Sequence, residues 1–503
     1  MIYQVNKAVL GYIDFLCNKI YVFFFWLLLL FSTSFWPYEE PNNLTTLINV
    51  SIIFFLGLYL IFRYSITHND KYVDIWIIVF FSKLLISYFI LFYFIATPLI
   101  PIDKLRTSYQ DPMLTDSNFY DFVGLKLKNE GLFNSYLLLF STWLSFGIIF
   151  YVYFIYYFFG VSVLYVTLLN SLLILFAALY FIKTIKSFDI KFNSVTLSLI
   201  SFLVLLPYGS YYDLTPNKET LSVFTLSMLF YQLAKIHNSL TKSFSDLFFA
   251  ILLVFIVRPN LGILVIPIIL FILGRKISFF RLFLIVLFLF TGVYGFLEIT
   301  VGIDTILVSY TNIDNLVENQ ASNIDVVTAN GSELKGRVID YLAPTGLLTG
   351  IFLFPFRAIV WFFLPFPFIL YDLNIFLKLP DLLLSNWNFY YRVPEQLSRL
   401  MSTHLIISSI PFVLLTLKKR IRSDGANHLI FFLWFILLIF VIALSTLNFA
   451  NGGRYRIVIE PIYFLLAIVG IQMSRIKFPQ LFSYYILYFT CVFFLNILYS
   501  FSI

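Results

Sequence analysis

Apolar runs of sixteen or more residues recur from one end of this chain to the other, and no other feature limits its folding as strongly. A backbone placed in hydrocarbon must satisfy its own N–H and C=O groups, so each run is predicted to be a helix. Together they predict an all-α polytopic membrane protein. Spans are expected near residues 21–36, 47–62, 73–98, 161–182, 193–209, 220–234, 244–257, 259–274, 282–299, 401–417, 428–447, 457–473 and 481–501, thirteen in all. Composition agrees, since 12% of the residues are charged where soluble domains run at about 25%. The two cysteines, Cys17 and Cys491, supply neither a disulfide framework nor a thiol metal site. The net charge of +7 fits basic loops facing an anionic leaflet rather than nucleic-acid binding. The first run follows a 20-residue lead carrying Lys7 and Lys19, which fits an uncleaved first span and a cytoplasmic N-terminus.

Two further apolar stretches, 136–159 and 344–371, are long enough to cross but break the parity of the charges. The clusters Arg63/Lys71, Lys183/Lys186/Lys191, Lys235/Lys242, Arg275/Lys276/Arg281, Lys418/Lys419/Arg420/Arg422 and Arg475/Lys477 all fall on the cytoplasmic side only if neither stretch crosses. They are therefore expected to be juxtamembrane or re-entrant, and Pro355, Pro365 and Pro367 interrupt the second. Three parts result: an N-terminal transmembrane module over 1–300 with an outer loop at 99–135, an outer loop and juxtamembrane region over 301–400, and C-terminal transmembrane helices over 401–503.

Polar residues of chemical interest cluster in the outer segments. Asp111, Asp116 and Asp121 lie in the loop 102–134, where Asp116-Ser-Asn reads as a helix N-cap and Phe119, Val123 and Leu127 share a helical face up to Gly131. Asp116 is thus either a cap or a carboxylate base. Pro207 to Thr220 forms a turn that places Lys218 and Glu219 at the outer mouth of the next span. Arg258-Pro259-Asn260 breaks two apolar runs, and its guanidinium suits a lipid headgroup and a phosphate equally. In Asn451-Gly-Gly-Arg454-Tyr-Arg456-Ile-Val-Ile-Glu460-Pro461, Arg456 and Glu460 are four apart, so the carboxylate can hold the guanidinium in one pose. Lys83 stands inside the third span, where snorkelling to the cytoplasmic interface is the expected arrangement. His68, His237, His404 and His428 are scattered and suggest no metal cluster. Walker, dinucleotide and HExxH motifs are absent, which argues against ATP-driven transport and zinc proteolysis.

In order as well as in kind, these elements resemble the GT-C superfamily of membrane glycosyltransferases, which use polyprenyl-phosphate-linked sugars. The resemblance rests on Asp116-Ser-x-x-Tyr120, a juxtamembrane stretch ending in Phe158-Phe-Gly160, the turn Pro207–Glu219, Arg258-Pro259, and Gly453-Arg-Tyr-Arg-Ile-Val-Ile-Glu-Pro461. The last is similar to the Arg-Tyr-Arg-x-Pro-x-x-Pro late in such proteins, with Val458 in place of the first proline. No Asp-x-Asp or Trp-Trp-Asp signature is present, which disfavours an oligosaccharyltransferase.

The resemblance implies transfer of a sugar from a polyprenyl-phosphate donor to a surface glycan or glycolipid acceptor, on the outer face of a bacterial inner membrane. It implies Asp116 as the base with Asp111 and Asp121 in reserve, Arg258, Arg454 and Arg456 on the donor phosphate, and Lys218, Glu219 and Glu460 orienting substrate. A divalent metal is compatible with this chemistry and not required by it; no cofactor is otherwise implied. Two other readings stay open: an O-antigen or capsule repeat-unit polymerase, and a lipid-linked-sugar flippase or transporter. The latter class usually shows internal repeats and buried charged residues at the midplane, and this chain shows neither clearly beyond Lys83.

Overall fold

The computed structural model describes residues 2–34, 43–68, 72–96, 116–131, 146–188, 217–237, 245–259, 387–418, 424–447, 456–474 and 476–502, together with 204–205, 214, 261–262, 265–266, 268–269, 353, 356 and 358. Among the described residues the regular structure is helical throughout: α1 (Ile2–Cys17), α2 (Tyr21–Ser34), α3 (Asn43–His68), α4 (Val73–Ala96), α5 (Asp116–Glu130), α6 (Phe146–Phe158), α7 (Val163–Lys186), α8 (Lys218–His237), α9 (Ser245–Val257), α10 (Trp387–Lys418), α11 (Asp424–Leu447), α12 (Glu460–Ser474) and α13 (Phe478–Ser502). Several charges sit where the helix dipole favours them, with Asp74, Glu219, Asp246 and Glu460 in first turns and Lys183, Lys186 and Lys418 in last turns.

Among the described residues four helical stretches are long and apolar enough to cross a bilayer, Leu44–Thr67, Val73–Phe92, Val163–Lys186 and Met401–Lys418. The pair Leu10–Cys17 and Tyr21–Ser34, bent by 85°, makes a fifth if it is taken as one span. This is the architecture of an integral membrane protein. The expected spans 193–209 and 282–299 and the stretch 344–371 lie, but for isolated positions, outside the described residues, as does most of 259–274. The described part of 136–159 is α6, whose 13 residues reach about 20 Å against a hydrocarbon core of about 30 Å.

The chain divides into two compact units, one of residues 1–136, 147–179 and 201–224 and one of 137–146, 180–200 and 225–503. Aromatic rings and small residues pack the first. Phe25 and Phe81 stack at 4.1 Å between α2 and α4, and a Cβ on Gly57 of α3 would fall 2.3 Å from the Phe80 ring of α4. Polar side chains join its helices within the apolar layer, with Trp26 Nε1 donating to Ser51 Oγ at 2.9 Å and Ser171 Oγ to Ser87 Oγ at 3.0 Å. At the C-terminal end of α6 the chain turns at Gly160, whose φ of 97° suits glycine. The Asn49 amide of α3 donates to the Phe159 carbonyl there at 2.6 Å.

Lys83 corrects the sequence expectation. It does not snorkel, because its side chain is fully buried one turn before Ser87, on α4. Distance from the helix end sets how far a lysine can reach, but the face it occupies is set by packing, and that face turns inward here.

The second unit is built around α12, which is apolar and buried along Glu460–Ile471, as expected of a helix hydrophobic all round. Its most extensive partner is α10, a helix that begins at Trp387, well before the span expected from residue 401. The two approach backbone to backbone, since a Cβ on Gly470 would lie 1.9 Å from the Phe412 carbonyl oxygen. Gly470→Ala should therefore force α10 and α12 apart and destabilise the protein by about 1–3 kcal/mol. A fall in the thermal midpoint in detergent would show this, and an unchanged midpoint would mean that the helices approach less closely. Tyr463 and Tyr484 donate to the Ile406 and Ser408 carbonyls of α10, both at 2.8 Å, which fixes α12 and α13 against it.

Candidate active site

In the first unit α5 begins at Asp116 and ends at Gly131, whose φ of 83° and N–H to the Leu127 carbonyl at 3.0 Å form a glycine cap. Tyr120, Val123 and Leu127 are its buried hydrophobic side chains, at i, i+3 and i+7. A Cβ on Gly124 would meet Val152 of α6 at 2.6 Å, so α5 and α6 pack closely at that point. Beside it the Tyr156 hydroxyl of α6 donates to the buried Asp121 carboxylate. Asp121, a reserve base on sequence grounds, thus ties α5 to α6.

The Tyr120 ring faces α8. Lys218, the first residue of that helix, places Nζ 5.3 Å from the ring centroid, a cation–π distance. Glu219 follows in the same first turn and is fully buried, and Asn217 just ahead is buried as well. Tyr120 and Lys218 are far apart in sequence, and here they meet. Asp116 itself opens α5, one turn before Tyr120. Asp111 lies outside the described residues.

The second unit holds the arginines. Arg456 and Glu460 form the pair their spacing predicts, with Nε to Oε1 at 2.8 Å and both side chains essentially inaccessible. Ser402 Oγ donates to the same Glu460 oxygen at 2.7 Å, and Arg456 Nη1 donates to Thr403 Oγ1 at 3.1 Å. A buried guanidinium–carboxylate pair is favourable only with such added hydrogen bonds, which α10 supplies here. This arrangement is a locked guanidinium rather than an interfacial anchor.

Arg258 is also buried, at the end of α9, so an open headgroup anchor is not its setting. Helical hydrogen bonding continues past it, since the Arg258 carbonyl accepts from Leu261 at 2.9 Å and Gly262 at 3.1 Å, and a Cβ on Gly262 would lie 2.5 Å from the Phe255 ring. Arg454 lies outside the described residues. Among the described residues no three of His, Cys, Asp and Glu gather as metal ligands.

Sequence reasoning missed Tyr156, Ser402 and Thr403. The signal for the last two was present, as the polar triplet Ser402-Thr403-His404 stands at the head of the apolar run expected from 401, whereas Tyr156 is one of four tyrosines in Tyr151–Tyr157 and nothing local distinguishes it. No family model, no curated protein and no solved structure matches the chain.

Proposed function

We propose that the chain is a GT-C-like integral membrane glycosyltransferase, with its thirteen spans and two juxtamembrane segments arranged as the charge parity requires. It moves a sugar from a polyprenyl-phosphate donor to a surface glycan or glycolipid on the outer face of a bacterial inner membrane. The observation that supports this reading is the meeting of Lys218 with Tyr120. It brings a cation and a buried carboxylate, Glu219, to the helix that Asp116 opens. That helix packs on α6 at Gly124 and Val152.

In the transfer, the bond from the anomeric carbon to the phosphate oxygen breaks and the bond to the acceptor oxygen forms. Asp116 takes the acceptor's hydroxyl proton, and the polyprenyl phosphate leaves with its charge balanced by cations. Arg258 and Arg454 serve as phosphate ligands. Arg456 is committed to Glu460 and Thr403, so its role is to hold the start of α12 and the charge there in one geometry. Lys218 and Glu219 orient the acceptor.

Deleting the gene and extracting the glycolipids that accumulate would identify donor and acceptor. In membranes, Lys218→Met should then lower transfer about ten- to a hundredfold, the worth of one charge-assisted hydrogen bond, with Lys218→Arg retaining part of it. Full activity in Lys218→Met would reduce Lys218 to a packing partner of Tyr120. No glycolipid change in the deletion strain would overturn the transferase reading.

A further inference from the structure

The segment ahead of the first expected span folds as α1, and over residues 10–18 its surface divides into three sectors. Tyr12 and Phe15 face α3, where the Tyr12 hydroxyl donates to the Phe55 carbonyl at 2.8 Å and the Phe15 ring lies 5.1 Å from that of Phe62. At 3.6 residues per turn, Leu10, Ile13 and Cys17 fall within about 60° of arc on another side. All three are exposed, Leu10 at 62% and Ile13 at 48%. Asp14 and Asn18 fill the adjoining sector and are also exposed. One side thus meets protein, one is apolar and open, and one is polar and open.

The direction of α1 gives these sectors a meaning. It stands at 85° to α2, so when α2 crosses the bilayer α1 runs along the bilayer plane. The corner is pinned, because Lys19 Nζ lies 2.6 Å from Asp74 Oδ1 at the start of α4 and the Tyr21 hydroxyl donates to the same carboxylate. Large apolar side chains are also exposed at Ile20 and at Phe24, Leu27 and Phe31 of α2. A helix with an apolar side, a polar side and a fixed turn into a span is suited to the boundary between headgroups and acyl chains.

We propose that α1 is an interfacial helix docked on the lipid bilayer, with Leu10, Ile13 and Cys17 in the acyl-chain boundary and Asp14 and Asn18 toward water. Lys7 and Asp14 are the charges that α1 carries, and they cancel, so apolar burial and not headgroup charge holds the helix down. The proposal rests on the membrane spans and is independent of the glycosyltransferase reading.

The test is site-directed spin labelling of the full chain in phosphatidylcholine nanodiscs. Cys17 and Cys491 are replaced by Ser, and one label at a time is placed at 10, 13, 14, 17 or 18. Labels at 10, 13 and 17 should collide several-fold more with oxygen than with a water-soluble nickel chelate, and labels at 14 and 18 should show the reverse. Equal aqueous access at all five positions would overturn the docking. So would labels at 10 and 13 hidden from both reagents, since a protein would then cover that side. Adding anionic lipid should leave the pattern unchanged. A pattern that appears only with anionic lipid would overturn the apolar basis of the docking.

Discussion

Replacing Asp116 by Asn is expected to cut sugar transfer in membranes by about 10² to 10⁴ while leaving insertion, folding and donor binding largely intact. The substitution keeps the size of the side chain and its ability to cap, since Asn and Asp cap helices about equally well. The start of α5 therefore survives, and with it the seating of Tyr120 against Lys218. What is lost is the capacity to take a proton from an acceptor hydroxyl. Asp121→Asn is the informative control, because Asn still offers a carbonyl oxygen to the Tyr156 hydroxyl. Its expected cost is a modest loss of stability with activity retained. Asp111→Asn serves as the second control. The measurement is the initial rate of transfer with protein level matched by immunoblot. A wild-type rate in Asp116→Asn would remove Asp116 as the base, and wild-type rates in all three variants would leave the proposed enzyme without its catalytic loop.

How much of this was legible in the residues depends on whether a local pattern or a tertiary contact decides the feature. Hydropathy sufficed for helices such as α2, α4 and α7, because uncharged apolar runs have one way to satisfy their backbone in lipid. Local chemistry also placed α5, from the Asp116 start to the Gly131 cap, and the Arg456–Glu460 pair, since a separation of four residues on a helix is itself a contact. The α1 helix is hidden in the sequence because Asn6, Lys7 and Asp14 break up its apolar residues. Lys83 was misjudged for a related reason. Hydropathy averages over all sides of a helix and carries no information on which side turns inward, and in an apolar run like α4 a single lysine leaves both orientations open. The contacts of Tyr156 with Asp121 and of Ser402 and Thr403 with α12 and its lead-in join distant segments, so no periodicity within either segment could announce them.

Glu460→Ala is expected to destabilise the protein by about 3–5 kcal/mol, because it strands the Arg456 guanidinium in an inaccessible site. Arg456→Ala should cost a similar amount by leaving the Glu460 carboxylate with the Ser402 hydroxyl as its remaining described donor. Either loss is large beside the usual 5–15 kcal/mol of folding stability, so single variants alone cannot separate a structural pair from a functional one. The double variant Arg456→Met with Glu460→Met can. It removes both charges and keeps apolar volume, and exchange of a buried ion pair for well-packed apolar residues is often neutral or stabilising. The double variant is therefore expected to regain most of the thermal midpoint lost by either single change. If the pair serves only packing, sugar transfer returns with the midpoint. If the positive charge fixed at the start of α12 contributes to the field that stabilises the departing phosphate, transfer stays low in a protein of normal stability. A double variant that recovers both stability and transfer would remove Arg456 and Glu460 from the functional site and leave Arg258 and Arg454 as the proposed phosphate ligands.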